Sequence, residues 1–249
     1  MKNKKSEFKL ELELLNFSFK NAKLSTRNIF DIPAGKTCRG ADRCYAYAQM
    51  RKDGTRKVID GPNMLYRCFA ASQEALYPAV YRKRQNNLRL LFKALRGGYA
   101  TELIEASMNK DLKLTRIHTS GDFFSQNYLT AWLNVARNNP NNIFYCYSKA
   151  LDYFLDIGLP SNFYLTASYG SKFDNLIDKG YFKRVAYVVN TEAEAKGLPV
   201  DHDDSHCFEQ DGPFALVVHG TQPAGSEAAK ALAKRKRTKT GFIGYSKRK

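Results

Sequence analysis

Short apolar runs of strand type alternate with helical segments in the second half of this chain, from about residue 114 onward. Strands that alternate with helices form βα units, and consecutive βα units build a parallel sheet. We therefore predict an α/β fold with a parallel sheet of βα units, curled into a partial or full TIM-like barrel. The strand-like runs are LTRIHT, NIFYCYSK, NFYLTAS, RVAYVV and FALVVHG. The helical segments between them are NYLTAWLNVARNNP, ALDYFLDIG, FDNLIDKG and TEAEAKG.

The first half of the chain has a less regular pattern. LELELLNFS alternates like a strand, and DIPAGKTCRGADRCYAYAQ predicts a Cys-containing loop that runs into a helix. Residues 75–96 predict a helix with Pro78 in its first turn, and YATELIEASM predicts another. Because no linker rich in Pro, Gly or Ser interrupts the pattern, we predict one α/β domain over residues 1–233 and a basic tail over 234–249.

The composition favours a cytoplasmic protein without a membrane partner. Apolar residues make up 43% of the 249 residues, yet no apolar run approaches the ~20 residues of a membrane span. Charges in MKNKKSEFKLELELL stand where a signal peptide would be apolar. Five cysteines in no regular framework are typical of reduced thiols.

Positive charge is concentrated at the ends of the chain and predicts a polyanionic partner. The formal charge is +16, residues 234–249 contain eight Lys or Arg and no acid, and residues 1–5 add three lysines. Tyrosines interleaved with basic residues in CYAYAQMRKDGTRK and YPAVYRKRQNN suit single-stranded nucleic acid. We expect a nucleic acid or nucleotide substrate. The alternative for the basic end of the chain is a solubilising tail. The alternative for YPAVYRKRQNN is an amphipathic helix with a solvated basic face.

Polar side chains follow nearly every predicted strand of the second half. In a parallel array these positions share the carboxyl edge, where barrel enzymes place their active sites. A purely structural protein would not need a polar group there after each strand, so we predict an enzyme. The candidate catalytic residues are His118, Asp122, Lys149 and His219, and the candidate cofactor-binding residues are Ser168 and Asn190.

Two further segments carry candidate site residues. In VDHDDSHC, His202 and His206 are four positions apart among three aspartates, which suits a site for Mg, Mn or Fe or acid–base catalysis. The alternative is an Asp-rich turn bonded to its own backbone. In HGTQPAGSEAAK, the residues Gln222, Gly225 and Ser226 lie where a helix start could cradle a phosphate. An ordinary strand–turn–helix connection explains that segment equally well.

The cysteines suggest a metal site. Cys38 and Cys44 stand in CRGADRC, and Cys68 follows in YRCFAAS. Thiolates select zinc, copper or iron–sulfur clusters, although this spacing matches neither a zinc ribbon nor a ferredoxin. Arg67 and Arg43 are expected to favour thiolates nearby. Cys207 is a possible fourth ligand or a mere neighbour, and Cys146 in an apolar strand is expected to be an inert core residue.

The motifs together resemble a known family. TCRGADRC, DGPNMLYRCFAAS, HTSGDFFSQ, FYCYSKAL and LTASYG, spread over roughly residues 24–226, resemble the gene product eighty-eight family of phages and mobile elements. The resemblance implies a bacterial host cytosol as the location and lends an organisation of the chain but no reaction.

A more distant resemblance is to phage proteins with a radical-SAM-like barrel. CYAYA, HTSGDFF and YCYSKAL follow the order of that group's cysteine segment and strand tips. The resemblance implies a [4Fe–4S] cluster held by Cys38, Cys44 and Cys68, with one iron open for S-adenosylmethionine. The chain departs from the usual CxxxCxxC motif, because Cys68 follows Cys44 by 24 positions.

Three functions remain open from the sequence. The first is an iron–sulfur, radical-SAM-like enzyme acting on nucleic acid or a nucleotide. The second is a His/Asp hydrolase with Zn, Mn or Mg that cuts phosphodiesters. The third is a nucleic-acid-binding protein in which zinc or a cluster only holds the N-terminal loop.

Overall fold

A six-stranded sheet, in which every pair of neighbouring strands is parallel, organises the protein. The computed structural model describes residues 13–19, 24 and 26–238. The sheet strands are β1 (Arg27–Phe30), β4 (Leu114–Ile117), β5 (Ile143–Ser148), β6 (Phe163–Ser168), β7 (Arg184–Val189) and β8 (Gly212–Val217). Their order across the sheet is β1-β4-β5-β6-β7-β8, so the six strands of this sheet are arranged in the order in which they occur along the chain.

The predicted parallel sheet of βα units is confirmed, but the described strands do not close a TIM barrel. β1 and β8 are the two edges of the sheet and are not paired with each other in the described ranges. The helices are α1 (Phe69–Leu76), α2 (Pro78–Gly97), α3 (Ala100–Ser107), α4 (Gln126–Asn138), α5 (Asp174–Asp178) and α6 (Glu227–Thr238). None of the helices in these ranges combines the length and apolar character that a membrane crossing requires.

One face of the sheet packs against helices and forms the main core, and we call it the outer face. Trp132 of α4 is fully buried there and lies with its ring centroid 5.5 Å from that of Phe30 in β1. Leu91 of α2 and Ile104 of α3 complete the same cluster. Burial of side chains this large removes extensive apolar area from water, which makes the outer face the main source of stability.

The opposite, inner face is covered by the chain segment between β7 and β8. Tyr145 of β5 and Phe214 of β8 pack there with Cys207, which lies in a short 3-10 turn. Phe208 in the same segment contacts Tyr145 with ring centroids 5.1 Å apart. The segment between β7 and β8 therefore packs on the inner face of the sheet.

The insertion between β1 and α1 differs from the prediction. The sequence CYAYAQ was predicted to enter a helix, but residues 46–50 form strand β2 (Ala46–Met50), which pairs antiparallel with β3 (Arg56–Asp60). The turn between the strands contains Gly54 at φ +79°, a conformation that favours glycine. Alternation of Tyr and Ala in AYAQM has period two, which fits a strand, and the prediction overlooked it.

Two other boundaries differ from the sequence expectation. The predicted helix over 75–96 is two helices, because Tyr77 is extended before Pro78, as residues before proline tend to be. Helix α6 continues past Lys234 to Thr238, and Arg235 within it is buried and donates to the carbonyl oxygen of Val218 at 2.6 Å. The remainder of the predicted tail, and residues 10–12 of the predicted first strand, lie outside the described residues. The described part of that predicted strand, residues 13–18, forms no regular strand and contributes only an isolated antiparallel bridge from Ser18 to Ile29.

Candidate metal centre at the carboxyl edge of the sheet

Three cysteines from separate segments lie near one another at the carboxyl edge of the sheet. Cys38 lies in the loop after β1, Cys44 lies just before β2, and Cys68 occupies the N-cap position of α1. Burial raises the pKa of Cys38 most, and Asp122, Cys68 and Cys44 raise it further through their negative charge. Burial likewise raises the pKa of Cys44 to about 11, and Cys68 adds to that rise. Because such charge effects weaken with distance, the three thiols lie in the same region of the carboxyl edge.

Close backbone packing fixes the cysteine loop against the tips of β5 and β6. A Cβ atom at Gly40 would lie 1.7 Å from the carbonyl oxygen of Lys149, so only glycine allows this approach. Ser171 donates from Oγ to that same carbonyl at 2.7 Å, and the amide of Arg43 donates to the carbonyl of Gly170 at 3.0 Å. The position of Cys38 and Cys44 therefore depends on the sheet edge itself.

Without a metal, the local environment favours neutral thiols. Each of the three cysteines is partly exposed as a residue, yet burial of the thiol raises its pKa in each case. The sequence suggested that Arg67 and Arg43 would favour thiolates here, but these guanidinium groups pair with Asp60 and Asp42 instead. A bound metal cation would reverse this balance, because thiols that coordinate a metal lose their protons.

Cys68 has features that partly offset its burial. It stands at the start of α1, and the backbone amides of Ala70 and Ala71 lower its pKa. The cationic Arg84 lowers it further, whereas the carboxylate of Glu74 raises it. An N-cap cysteine next to helix amides and a cation is well suited to act as a thiolate ligand.

Asp122, Lys149 and Ser168 form a buried hydrogen-bond network beside the cysteines. Asp122 accepts from Ser148 Oγ at 2.8 Å and from the backbone N–H of Lys149 at 2.7 Å. Lys149 donates from Nζ to Ser168 Oγ at 2.6 Å and to the carbonyl oxygen of Tyr169 at 2.6 Å. The positive charge of Lys149 lowers the pKa of Cys44 against the larger effect of burial. Three of the predicted strand-tip residues are thus brought together next to the cysteines.

A second buried network, which sequence reasoning missed, lies near Cys68 and affects its pKa. Glu74 of α1 is 1% exposed and accepts hydrogen bonds from the Ala34 amide at 2.8 Å and from Ser120 Oγ at 3.2 Å. The same carboxylate pairs with Arg84 of α2 at 3.1 Å, and Arg84 also lies 3.6 Å from Asp31 at the end of β1. The one signal in the sequence is a charged residue on the apolar side of a short helix, which is too weak to identify.

His118 follows β4 at the carboxyl edge, as predicted, but its ring lies in the outer-face core. The residue has φ +66°, and its Nε2 atom lies 2.8 Å from Tyr128 Oη on α4. Its ring packs against Phe123 with centroids 4.8 Å apart. Burial lowers the pKa of His118 to about 3, so the imidazole is neutral at physiological pH. The structure gives His118 a packing environment and does not bring it to the cysteines.

His202, His206 and the surrounding aspartates lie with the segment that covers the inner face. Asp204 forms a buried ion pair with Arg116 of β4. Asp201 accepts from the amides of Asp203 and Asp204, both at 3.0 Å, which is the local turn bonding that the sequence left as an alternative. His206 Nδ1 lies 3.7 Å from Asp201, and its ring packs on Phe214.

The catalytic candidate His219 and the cofactor-binding candidates Gln222 and Ser226, all after β8, have separate environments. His219 packs on Phe69, the residue after Cys68, with ring centroids 4.5 Å apart. Gln222 accepts from the amide of Arg67 at 2.7 Å and donates to its carbonyl oxygen at 3.1 Å, so it ties the β8 loop to the segment before Cys68. Ser226 caps α6 by accepting from the Ala229 amide at 3.1 Å.

Two other predicted residues, Asn190 after β7 and Gly225 after β8, lie in local or open surroundings. The amide of Asn190 donates to Glu194 at 2.9 Å, and Gly225 at φ +80° faces open space. Of the residues predicted in this part of the chain, His219 and Gln222 therefore adjoin the cysteine site, whereas Ser226 serves the helix.

The cysteines are neighbours but do not form a ready site for one metal ion. Within the described ranges, no group of three or more His, Cys, Asp or Glu side chains is arranged to hold a single ion. A surface cavity of about 410 Å³ lies at the opposite, amino edge of the sheet beside Lys110 and Asn141. The donor set at the carboxyl edge, three thiols with one carboxylate nearby, is nevertheless the kind that soft metals and iron–sulfur clusters use.

Comparison with known proteins decides the family. A family model described as Gene product 88 matches residues 1–243. The chain belongs to the Gene product 88 family. A relative, the Gene 88 protein of Mycobacterium phage L5, is 38% identical over 90 residues, which cover 33% of this chain and 38% of the relative. Well under two thirds of that relative's length is therefore matched. No solved structure shows significant similarity to the chain.

Family membership confirms the resemblance that the motifs carried, and it leaves the reaction to be argued from the site. The descriptions of the family and of the phage L5 relative name a gene product and no activity. In this Gene product 88 protein, the residues that the structure brings together are Cys38, Cys44, Cys68, Asp122 and Lys149.

Proposed function

We propose that this protein is an iron–sulfur enzyme in which Cys38, Cys44 and Cys68 ligate one [4Fe–4S] cluster. The observation that carries the proposal is the meeting of three thiols, from positions spread over 31 residues, at the carboxyl edge of a parallel βα sheet. Cysteines kept only as small apolar side chains have no reason to share one site beside a buried aspartate and a buried lysine.

The arrangement supports a cluster more than a single ion. The thiols influence one another's pKa, and among the described residues no group of three or more His, Cys, Asp or Glu side chains is arranged to hold a single ion. A four-iron cluster is a larger body than a zinc ion, so its cysteine ligands stand farther apart than those of a zinc site. This argument favours the cluster over a structural zinc ion in the N-terminal loop.

We further propose that the sheet forms a partial barrel around the site. Its sequential strand order, with α-helices on the outer face, is the arrangement that right-handed βα crossovers produce in barrels. When bound there, a [4Fe–4S] cluster with three cysteine ligands would supply one-electron chemistry and leave one iron for S-adenosylmethionine. Asp122 and Lys149 lie close to this position, and together with Ser168 they would orient a polar cofactor or substrate and hold its charge.

The alternative of a His/Asp phosphodiesterase has less support. The carboxylate of Asp204 forms an ion pair with Arg116, and the carboxylate of Asp201 accepts hydrogen bonds from the amides of its own turn. A metal hydrolase needs carboxylates whose oxygen atoms face the ion and an open coordination position. The inner-face segment instead uses its carboxylates to hold the chain in place, so we do not carry this function further.

The test is anaerobic purification and reconstitution with iron and sulfide. We expect a brown protein with broad visible absorption in the wild type, and loss of that absorption in Cys38→Ala, Cys44→Ala and Cys68→Ala. Cys146→Ala is the matched control, because Cys146 is a buried thiol of β5 on the outer face, and it should keep the absorption. A colourless wild type, or colour that survives all three substitutions, would overturn the proposal.

A further inference from the structure

The β2–β3 hairpin has one face that is packed and one that is not. In the antiparallel register, Tyr47 stands opposite Ile59 and Gln49 opposite Lys57. Among the alternate positions, Ala46 and Ala48 are buried, and the hairpin packs against α1. Because side chains in a strand alternate between faces, the other side of the hairpin turns away from α1. We call this side the hairpin face, and its members are Tyr45, Tyr47, Gln49, Lys57 and Ile59.

The hairpin face combines aromatic rings with positive charge. The rings of Tyr45 and Tyr47 lie edge to face, with centroids 6.2 Å apart. Lys36 from the cysteine loop places its Nζ atom 5.2 Å from the centre of the Tyr47 ring. Lys57 on the same face is exposed, as are Arg51 and Lys52 beside the turn.

Acidic groups do not balance this charge on the face itself. None of its five positions is Asp or Glu. Asp53 in the turn is bonded to the backbone and side chain of Thr55, at 2.9 Å and 2.6 Å, and Asp60 on the packed side pairs with Arg67. Partly exposed tyrosine rings surrounded by cations form the surface that single-stranded nucleic acids bind, with bases on the rings and phosphates on the cations.

The hairpin face begins at the cysteine site. Tyr45 is the residue after Cys44 and directly precedes β2. Gly61 accommodates the tyrosine, since a Cβ at that position would lie 3.0 Å from the Tyr45 Cβ. A single-stranded nucleic acid whose bases stack on Tyr47 and Tyr45 would therefore reach the three cysteines.

We propose that the hairpin face binds a single-stranded polynucleotide and leads it to the cysteine centre. Bases stack on Tyr47 and Tyr45, and the phosphates contact Lys57 and Lys36. The delivery to a reacting centre rests on the proposed function, whereas binding by the hairpin face does not depend on it.

The experiment measures binding of fluorescein-labelled oligothymidylate and oligouridylate to the full chain by fluorescence anisotropy. Tyr47→Ala should weaken binding about five-fold or more, because stacking on one ring contributes about 1–3 kcal/mol per base. Tyr47→Phe keeps the ring and should bind like the wild type. Tyr181→Ala removes another tyrosine, 61% exposed and outside the hairpin, and should also bind like the wild type. Comparison of the two homopolymers distinguishes DNA from RNA as the bound strand.

Salt dependence provides an independent readout. Lys57→Gln should reduce the log–log salt slope by about 0.7, the value for one phosphate contact on a single strand. Equal binding by Tyr47→Ala and Tyr181→Ala, or binding of a duplex as tightly as of the single strand, would overturn the inference. So would a wild-type dimer in analytical ultracentrifugation that Tyr47→Ala dissociates, because a second copy would then occupy the face.

The two proposals fail in different ways. Tyr47→Ala should still bind iron and sulfide at wild-type levels, so that lost oligonucleotide binding cannot be due to a lost cluster. If iron is never bound but Tyr47-dependent binding is found, the hairpin inference stands and the proposed enzyme fails. If the cluster forms but Tyr47→Ala binds the oligonucleotides like the wild type, the hairpin inference fails and the proposed enzyme stands.

Discussion

Lys149 Nζ donates a hydrogen bond to Ser168 Oγ at 2.6 Å, and this bond joins the tips of β5 and β6 beside Cys44. Lys149 is 7% exposed, and its other two acceptors are the carbonyl oxygens of Ser168 and Tyr169. These three hydrogen bonds hold the Lys149 Nζ atom at the sheet edge. The lysine therefore connects the geometry of the sheet edge with the electrostatics of the cysteines.

Removal of this charge should slow alkylation of Cys44 in the metal-free protein. Lys149 lowers the pKa of Cys44, so Lys149→Gln should raise that pKa and decrease the thiolate fraction at a given pH. Mass spectrometry after timed iodoacetamide treatment at mildly alkaline pH measures the rate at this cysteine. Lys172→Gln, at an exposed lysine, is the control and should react at the wild-type rate. Faster alkylation in Lys149→Gln would contradict the assignment.

Gly40→Ala should disrupt the cysteine site. The added methyl group would meet the backbone carbonyl of Lys149 at 1.7 Å, and backbone cannot move aside as a side chain can. We predict a loss of about 3 kcal/mol or more in the free energy of unfolding, measured by urea denaturation. Gly158→Ala, where a Cβ meets no atom within 4 Å, should change stability by less than about 1 kcal/mol. Similar stability of the two variants would show that the loop does not pack on β5 as described.

His118 should make the protein less stable as the pH falls. Burial lowers its folded-state pKa to about 3, while the unfolded chain binds the proton near pH 6.5. Between these values only the unfolded state is protonated, so this residue should reduce stability by up to about 1.4 kcal/mol per pH unit on acidification. His118→Asn removes the titration and tolerates the left-handed backbone. Urea titrations at pH 7, 6 and 5 should show a steeper loss in wild type than in His118→Asn, and parallel curves would refute the prediction.

The Arg116–Asp204 pair should matter for stability and not for metal binding. The Asp204 residue is buried and Arg116 is nearly so, and loss of one partner of a buried pair leaves an unpaired charge, which typically costs about 3–5 kcal/mol. Asp204→Asn should therefore be strongly destabilising, and adding Arg116→Gln should restore part of the loss in a double-mutant cycle. Iron binding by the folded fraction should be unchanged. An additive cycle would mean that the two groups do not interact.

Periodicity in the sequence identified the second half of the fold and the edge where the site lies. The alternation of apolar runs and helical segments predicted the parallel strands, and the polar residues after them do lie at the carboxyl edge. What periodicity does not determine is the direction of a residue just beyond a strand. At φ +66° the backbone of His118 turns its ring to α4, whereas Lys149 points to Ser168.

Contacts between distant segments explain most of the remaining differences. The closeness of the three cysteines arises because Gly40 allows the loop to reach β5 and because Gln222 ties the β8 loop to Arg67. Glu74 and Arg84 form an ion pair and affect the pKa of Cys68 only because the packing of α1 and α2 brings them together near that cysteine. Such relationships depend on tertiary packing, and no local pattern in the sequence encodes them.

The amounts of iron and acid-labile sulfide per chain, measured after anaerobic reconstitution, test the central claim most directly. For a [4Fe–4S] cluster, the wild type should contain about four of each, and a variant with Cys38, Cys44 and Cys68 all replaced by alanine should contain almost none. The folded state of that variant is checked by circular dichroism. A wild type that retains zinc and no sulfide, or a triple variant with as much iron as the wild type, would contradict the account.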